Sequence, residues 1–341
     1  MKILIIILVA FMGFAFTDEN LMKLVYPSYF PEPSYSFKAN ELTQEKVNLG
    51  RMLFYDPILS KDRSISCADC HSAYNAFAHT DHDLSHGIHD SIGMRNAPAL
   101  FNLAWQNTFM WDGAIHNLDM QALAPLNHPA EMDEDIVNVL QKLNESDHYK
   151  KAFYAAWGDS IVTGEHFLKS ISQFQLSLVS ATAKYDAVKS GTLNFTEQEQ
   201  AGYSIFQKNC NSCHREPLFS SYGYANNGLA IDTTLNDLGR FRVTKKDEDK
   251  LKFKIPSLRN LSYTYPYMHD GRFDKLHEVL NHYTNLKPGD SPEIALHSAL
   301  KLTSKDKTDI IAFLLTLDDK QFVFDPKNKY PKELLLQIKN K

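Results

Sequence analysis

The most restrictive feature of this 341-residue sequence is a short cysteine motif that occurs twice. The pattern C-x-x-C-H occupies residues 67–71 (CADCH) and 210–214 (CNSCH). It is the attachment pattern of a c-type haem, in which two thiols reach one haem edge and the adjacent histidine ligates the iron. The sequence therefore predicts two covalent haem c groups, attached through Cys67, Cys70, Cys210 and Cys213 and ligated by His71 and His214.

A redox dithiol and a zinc site are the alternative explanations of these cysteines. A dithiol explains neither the histidine after each pair nor the presence of two copies. A zinc site with four cysteine ligands would have to join pairs that lie far outside the usual spacing of such ligands. The two motifs use all four cysteines of the chain, so we expect haem attachment and no disulfide.

The N-terminus has the composition of a secretory signal. Lys2 precedes an apolar run from Ile3 to Phe16, and small residues near Ala15 and Thr17 offer a cleavage site. The alternative is an uncleaved membrane anchor, but the run is shorter than the roughly 20 residues of a spanning helix. We therefore predict a signal peptide over residues 1–17 and a periplasmic location.

Length and charge narrow the classes of protein that remain. A chain of 341 residues favours two domains over one. The net charge of −5 gives no electrostatic support to a nucleic-acid partner.

Apolar periodicity predicts helices and little else. We expect helices over about 43–54, over 134–157, through Phe167, Ile171, Phe174 and Leu178 to a stop at Ser190-Gly191, and over 304–317 with Thr303 as N-cap. Residues 56–133 read as a long loop region, which in a compact domain usually carries function. No segment alternates strongly enough to predict a strand.

A weak internal repeat divides the chain. Gly50 to Phe54 (GRMLF) precedes the first cysteine pair, and Gly202 to Phe206 (GYSIF) precedes the second. We predict an all-α fold of two cytochrome c-like helical domains with long loops, each binding one haem c. The boundaries are 18–190 for the N-terminal domain and 191–325 for the C-terminal domain, with a tail over 326–341 that could fold back on the first.

Several blocks in order give the chain a family resemblance. It resembles the bacterial diheme cytochrome c peroxidases, a family that includes the enzyme maturing tryptophan tryptophylquinone. The resemblance covers most of residues 42–320. Its blocks are Leu49 to Ser60, Arg95 to Pro98, Trp111-Asp112-Gly113, Gln121, Pro125, Glu131-Met132, Ile255 to Asn260 and His269 to Arg272.

The resemblance implies a division of labour between the haems. The haem on His71 would react with hydrogen peroxide, and the haem on His214 would receive electrons from a small c-type cytochrome or copper protein. A calcium ion would lie between the domains, with Asn96 as a side-chain ligand beside carbonyls near Lys254 and Pro256. Family peroxidases are commonly dimers, which implies a homodimer here. The alternative is that Asn96 only forms a turn.

The resemblance also implies roles for three residues around the first haem. Glu131 would move a proton between the peroxide oxygens, with Gln121 in the same pocket. Trp111 would lie between the haems and carry an electron, a role compatible with that of a core tryptophan. Composition alone would make Glu131 a solvated loop carboxylate.

Four histidines stand close together in the segment from His79 to His89. In peroxidases of this family a histidine of this loop caps the reactive haem when it is oxidised and leaves on reduction. His86, followed by Gly87, matches that position best. The alternative is a set of solvent-facing or metal-binding histidines.

The second haem departs from the peroxidase pattern. Where peroxidases of the family have a methionine as the sixth ligand, this sequence has Tyr283, as the quinone-maturing enzyme does. An oxygen ligand would lower the haem potential relative to methionine. Met268 and His282 remain local alternatives.

The function predicted from these residues is peroxide reduction by a periplasmic diheme peroxidase. An oxidase acting on a protein or small molecule is the first alternative, favoured by Tyr283 and opposed by His86. A non-enzymatic electron-transfer cytochrome is the second, opposed by the pair Gln121 and Glu131. The sequence does not identify the electron donor, or say whether the enzyme needs prior reduction.

Overall fold

The computed structural model describes residues 21–296 and 298–339. The signal peptide predicted over residues 1–17 lies outside this range. Within the described residues, none of the helices is long and apolar enough to cross a bilayer.

The described chain is rich in helix and contains one short sheet. The helices are α1 (Gln44–Tyr55), α2 (Cys67–Cys70), α3 (Leu118–Gln121), α4 (Leu123–Asn127), α5 (Ile136–Glu145), α6 (Asp147–Trp157), α7 (Gly164–Ser177), α8 (Lys184–Lys189), α9 (Glu197–Asn209), α10 (Phe241–Thr244), α11 (Leu276–Asn285), α12 (Ser304–Leu315), α13 (Lys320–Phe324) and α14 (Lys332–Lys339). Strands β1 (Tyr224–Ala225) and β2 (Phe253–Lys254) pair antiparallel. The remainder is loop and single 3₁₀ turns, so the predicted helix-rich fold is confirmed.

The first hydrophobic core forms where α1 crosses α7. The Thr43 hydroxyl accepts the Lys46 amide at 3.3 Å and caps the predicted first helix. Gly50 makes the close crossing possible, because a Cβ at this position would lie 1.8 Å from the Ser170 carbonyl oxygen. Phe54 then packs edge-on against Phe174, with ring centroids 5.2 Å apart.

The second core repeats this arrangement with α9 and α12. A Cβ on Gly202 would lie 1.9 Å from the Asp309 carbonyl oxygen. Four residues later along α9, Phe206 is buried against Phe313 at 5.1 Å between ring centroids. The glycine and phenylalanine of the internal repeat therefore have the same packing role in both halves.

The long helix expected to end at Ser190-Gly191 is in fact two helices. Helix α7 ends at Ser177, residues 178–183 are not helical, and α8 occupies Lys184–Lys189. The prediction was wrong because the Asn102 side chain brackets Ser180, donating to its carbonyl at 3.0 Å and accepting its amide at 2.9 Å. Those bonds replace the helical ones, and a distant loop supplies them.

The C-terminal segment returns to the first core. Helix α12 has the predicted Thr303 cap, but α13 and α14 follow it. Phe322 of α13 packs near Phe77 at 6.0 Å between ring centroids. The Tyr55 hydroxyl donates to the Asn328 carbonyl oxygen at 2.6 Å, so the described part of the tail contacts the first half of the chain.

Candidate functional site

The first C-x-x-C-H motif folds as a single capped helical turn. The Asp69 carboxylate accepts the Ser66 amide at 2.7 Å and closes the start of α2. The His71 amide then donates to the Cys67 carbonyl at 2.9 Å, which places the histidine directly after the turn. His71 Nδ1 donates to the Phe77 carbonyl at 3.0 Å, so its Nε2 carries no proton and can bind a metal.

The second motif has the same geometry on a different helix. Cys210 ends α9, and the His214 amide donates to its carbonyl at 2.9 Å. His214 Nδ1 lies 3.3 Å from the Phe219 carbonyl oxygen and 3.1 Å from that of Pro256. Nδ1 is therefore the protonated nitrogen here too, and Nε2 is again the free one.

The protonation of these groups fits haem attachment. Burial lowers the pKa of His71 to about 4 and that of His214 to about 4, so both imidazoles are neutral near pH 7, as a metal ligand must be. Burial raises the pKa of Cys67 to about 12 and that of Cys210 to about 12. Protonated thiols of this kind argue against a reactive dithiol, whose attacking cysteine has a lowered pKa.

All four cysteines are free thiols. In the described part of the chain, no three side chains of histidine, cysteine, aspartate or glutamate converge as metal ligands. The two cysteine pairs thus stay separate, each beside its own histidine.

Glu131 lies beside the first cysteine pair. The Ile88 amide donates to the Glu131 carbonyl, and His86, two residues earlier, has its carbonyl oxygen 3.4 Å from the Cys70 thiol. The Glu131 carboxylate charge also raises the pKa of Cys70. The side chain is 28% exposed, and burial raises the pKa of Glu131 while His128, with Nδ1 at 3.8 Å from Oε1, acts in the opposite direction. The loop between α4 and α5 therefore brings a largely desolvated carboxyl group to the first motif.

The histidine-rich loop packs against the same region. The Cys70 thiol lies 3.4 Å from the His86 carbonyl oxygen. A Cβ on Gly87 would lie 2.2 Å from the Ala130 carbonyl oxygen, so only glycine allows this approach. The Ile88 amide donates to the Glu131 carbonyl at 2.8 Å and fixes the loop to the Glu131 backbone.

The histidine side chains of this loop divide into two groups. The rings of His82 and His86 stack at 4.1 Å between centroids, and His79 lies 5.6 Å from His82. His86 Nδ1 is 2.7 Å from the Asp90 carboxylate. His89 is 74% exposed and turned toward Asp62. Of the four, His86 is the one held by an ion-pair partner at hydrogen-bond distance.

Gln121 is oriented by α7 and not by Glu131. Its Oε1 accepts the Gln175 amide at 3.3 Å, and its Nε2 lies 3.8 Å from the Met110 sulfur. Among the residues the structure describes, no hydrogen bond joins it to the Glu131 carboxyl. Both side chains belong to the first half of the chain, and each is held by its own partners.

Trp111 connects the two halves of the chain. Its indole nitrogen donates to the Asn96 carbonyl at 2.9 Å, and its own carbonyl accepts the amide of Lys254 in β2 at 2.7 Å. Lys254 immediately precedes the segment whose Pro256 carbonyl lies 3.1 Å from His214 Nδ1. Trp111 is therefore bonded to the backbone that approaches the second motif.

Asn96 is buried at the same junction. Its backbone N–H donates to the His269 carbonyl at 2.8 Å, and its side-chain Nδ2 donates to the Asp83 carbonyl at 3.1 Å. With the nitrogen held there, Oδ1 is the side-chain atom left to face a cation. Amide and carbonyl oxygens are ligands that calcium accepts.

Tyr283 and Met268, two of the three predicted candidates for the sixth ligand of the second haem, lie near one asparagine. The side-chain nitrogen of Asn227 lies 3.3 Å from the Met268 sulfur, and its backbone carbonyl oxygen is 2.9 Å from His282 Nε2. Burial raises the pKa of Tyr283 to about 12, the charge of Cys210 adds to this, and a hydrogen bond from Asn227 opposes it. Both alternatives are thus in the surroundings of the second motif.

Two features escaped the sequence analysis. Asn227 stands in an Asn-Asn-Gly turn, which signals a loop and says nothing about its contacts. The Arg95 guanidinium bonds Asp237 through two nitrogens, at 2.6 and 2.9 Å, and Asp112 at 2.7 Å. Its place in the Arg95 to Pro98 block was the available signal, but its partner Asp237 is 142 residues away.

Comparisons with known proteins agree with this arrangement. The sequence model of a family described as di-haem cytochrome c peroxidase matches residues 44–194. The methylamine utilization protein MauG of Methylorubrum extorquens is 33% identical over 305 residues, covering 85% of this chain and 82% of that protein. The cytochrome c551 peroxidase of Nitrosomonas europaea is 33% identical over 253 residues, covering 70% and 73%.

Among solved structures, a MauG-like protein associated with microbial copper homeostasis superposes with a TM-score of 0.81 at 28% identity. The match covers 91% of this chain and 99% of that one.

Proposed function

The chain belongs to the di-haem cytochrome c peroxidase family, and from that premise we propose that it reduces hydrogen peroxide to water with electrons from a small redox carrier protein. Cytochrome c peroxidases are oxidoreductases that use peroxide as acceptor, and a di-haem family implies two haem c groups. One observation carries the proposal: two matching histidine sites, of which the first has a desolvated carboxyl group, Glu131, beside its cysteines.

Each motif has the side chains that one covalent haem needs. Cys67 and Cys70 would form the thioethers of the first haem, and His71 Nε2 would ligate its iron. Cys210, Cys213 and His214 would do the same for the second. When bound, the first haem would supply the iron at which peroxide binds and its O–O bond breaks.

Glu131 is the residue proposed to move the proton in this reaction. Reduction of one peroxide to two waters consumes two electrons and two protons, and the O–O bond breaks more easily if the leaving oxygen is protonated. A carboxyl group whose pKa is raised by burial can take the proton from one oxygen and give it to the other near neutral pH. Gln121 would add a polar wall to this pocket, held by Gln175.

The electrons would enter at the second motif and pass to the first. Trp111 is bonded to the Asn96 carbonyl on one side and to the Lys254 amide on the other, which supports a role as a relay between the two halves. A calcium ion held by the Asn96 amide oxygen and by carbonyls near Lys254 and Pro256 would keep these segments in register.

His86 is proposed to close the first site while the protein is fully oxidised. Its loop lies against Cys70 and the Glu131 backbone, so it is near enough to act there. Its Nδ1 lies 2.7 Å from the Asp90 carboxylate, which leaves Nε2 as the nitrogen that could ligate an iron.

The proposed organisation has two haem domains, over residues 18–190 and 191–325, and a tail over 326–341. The two separate hydrophobic cores, one per motif, support it. Export to the periplasm through residues 1–17, a small c-type cytochrome or copper protein as donor, and a homodimer complete the proposal.

One observation favours a second candidate, an oxidase that removes electrons from a protein or small-molecule substrate. Tyr283 lies near the second cysteine pair, and an oxygen ligand there would disfavour ferrous storage of an electron. The relative from Methylorubrum extorquens is named for methylamine utilization.

Stopped-flow spectroscopy with a reduced small c-type cytochrome separates these candidates. The peroxidase proposal predicts that the donor is oxidised only when peroxide and the holoprotein are both present, with two donors consumed per peroxide. Rapid consumption of peroxide without donor oxidation would favour the oxidase. If neither the diferric nor the half-reduced protein reacts with peroxide, the remaining function is that of a non-enzymatic electron-transfer cytochrome.

A further inference from the structure

Asn227 contacts all three side chains that could complete the second haem. Its side-chain Nδ2 donates to the Met268 sulfur at 3.3 Å, and its backbone carbonyl oxygen accepts from His282 Nε2 at 2.9 Å. Its side chain also lies close enough to the Tyr283 phenol to lower the pKa of that group, against the effect of burial. A carboxamide nitrogen has two N–H donors, one for each of two acceptors.

The turn that carries Asn227 is held in place on both sides. Asn227 Oδ1 accepts the Leu229 amide at 3.3 Å, so the side-chain amide is held with its nitrogen toward Met268. Gly228 has a φ of +76°, and a Cβ there would lie 2.6 Å from Leu286 Cδ2, just beyond the end of α11. The Asn226 carbonyl is anchored by the Ser291 hydroxyl at 2.6 Å.

The backbone of Tyr283 is also hydrogen-bonded to a segment outside its own helix. It lies in α11, and its carbonyl oxygen accepts the Leu300 amide at 2.9 Å. His282, its neighbour, is the residue bonded to the Asn227 carbonyl. The backbone of Asn227 is therefore bonded to α11 at the residue next to Tyr283.

We propose that Asn227 is a positioning residue that selects the Tyr283 oxygen over the Met268 sulfur as the sixth ligand of the second haem. This inference rests on the proposed presence of a haem at Cys210 and Cys213. Oxygen is a good acceptor of an amide N–H and sulfur a weak one, so the same donor group orders the phenol firmly and restrains the sulfur loosely. Met268 binds iron only if it leaves Asn227.

The isosteric change Asn227→Asp is the sharpest test. It keeps the Oδ1 acceptor for the Leu229 amide but removes both N–H donors. Asn226→Asp is the matched control, because it adds the same charge one residue earlier, where Oδ1 accepts the Gly228 amide at 2.9 Å. Asn227→Gln keeps an amide donor and tests rescue.

The readouts are intact mass, EPR and the near-infrared sulfur-to-iron charge-transfer band of the ferric holoprotein. We expect parental protein and Asn226→Asp to lack the band, and Asn227→Asp to acquire it as the main form of the second haem. The band should vanish in the double variant that combines Asn227→Asp with Met268→Leu. The variant Asn227→Gln should have the parental EPR signal.

Two outcomes overturn the inference while leaving the proposed function standing. One is an Asn227→Asp protein that carries two haems and has the parental EPR signal. The other is that Met268→Leu changes the parental spectrum while Tyr283→Phe leaves it unchanged. That result would make the Met268 sulfur the native ligand. A parental protein with no haem on Cys210 and Cys213 would contradict the proposed function and this inference together, and the mass distinguishes that case.

Discussion

The Glu131 carboxylate lies 3.8 Å from His128 Nδ1, at the entrance to the region around the first cysteine pair. His128 is half exposed and Glu131 is mostly buried, so the pair leads from solvent toward Cys70. His128 is fixed by the Ala130 amide, which donates to its Nδ1 at 3.2 Å. This pairing gives two predictions, one for each residue.

Replacing Glu131 by Gln should lower peroxide turnover by about 10²-fold or more while both haem spectra stay nearly unchanged. The amide has almost the same shape as the carboxyl group but cannot accept and return a proton. Steady-state donor oxidation measures the effect. Asp133→Asn is the control, because that carboxylate bonds Lys61 at the surface at 2.6 Å and should not matter. Near-parental turnover in Glu131→Gln would remove this residue from the mechanism.

The pH dependence of kcat/KM should reveal the same carboxyl group. Glu131 must be deprotonated to accept a proton, so activity is lost as the pH falls through its pKa, which burial places above the ordinary range of glutamate. Once His128 is protonated and no longer accepts the Ala130 amide, its positive charge lowers the pKa of Glu131, so His128→Asn should move the acid limb to higher pH. Asparagine can still accept the Ala130 amide. An acid limb that is identical in the two proteins would contradict the assignment.

Trp111→Phe should slow the passage of electrons from the second haem to the first. Phenylalanine lacks the extended indole and the N–H that bonds the Asn96 carbonyl. Re-reduction of the first haem after a peroxide pulse, followed by stopped flow in the half-reduced protein, measures the rate. Trp105→Phe is a matched control, because its indole donates to the Pro31 carbonyl at 2.7 Å in the first core. Equal rates in the two variants would exclude Trp111 as the relay.

His86→Ala should leave the first haem of the diferric protein high-spin and reactive with peroxide without prior reduction. If the imidazole caps the iron in the parental protein, its removal opens that position. EPR of the ferric protein reports the change of spin state. His82→Ala removes the ring stacked on His86 and should keep the parental signal. A parental signal in His86→Ala would mean that this histidine is not the cap.

Local signals were enough to predict several helices. The helix start near Thr43, the Thr303 cap and the apolar spacing of α1, α7 and α12 lie within single segments, and the structure confirms them. The break at residues 178–183 was missed because Asn102, far along the chain, supplies the hydrogen bonds that end α7. Helix propensity and apolar spacing are judged within a short window of sequence, so they cannot predict the effect of a residue as distant as Asn102.

The candidate site shows the same limit. The cysteine motifs are local, so they were visible at once in the sequence. The approach of Gly87 to Ala130, which brings the histidine loop onto Glu131, depends on two loops meeting and not on either sequence alone. Asn227 was missed for the same reason, since its contacts with Met268 and His282 span 41 and 55 residues.

The central claim is that each C-x-x-C-H motif of this chain holds its own haem. The intact mass of the exported protein tests this most directly, because thioether-bound haem survives denaturation. We predict the mass of the processed polypeptide plus two haems, and a loss of one haem in Cys67→Ala with Cys70→Ala or in Cys210→Ala with Cys213→Ala. A mass with one haem, or with none and zinc bound instead, would contradict the account.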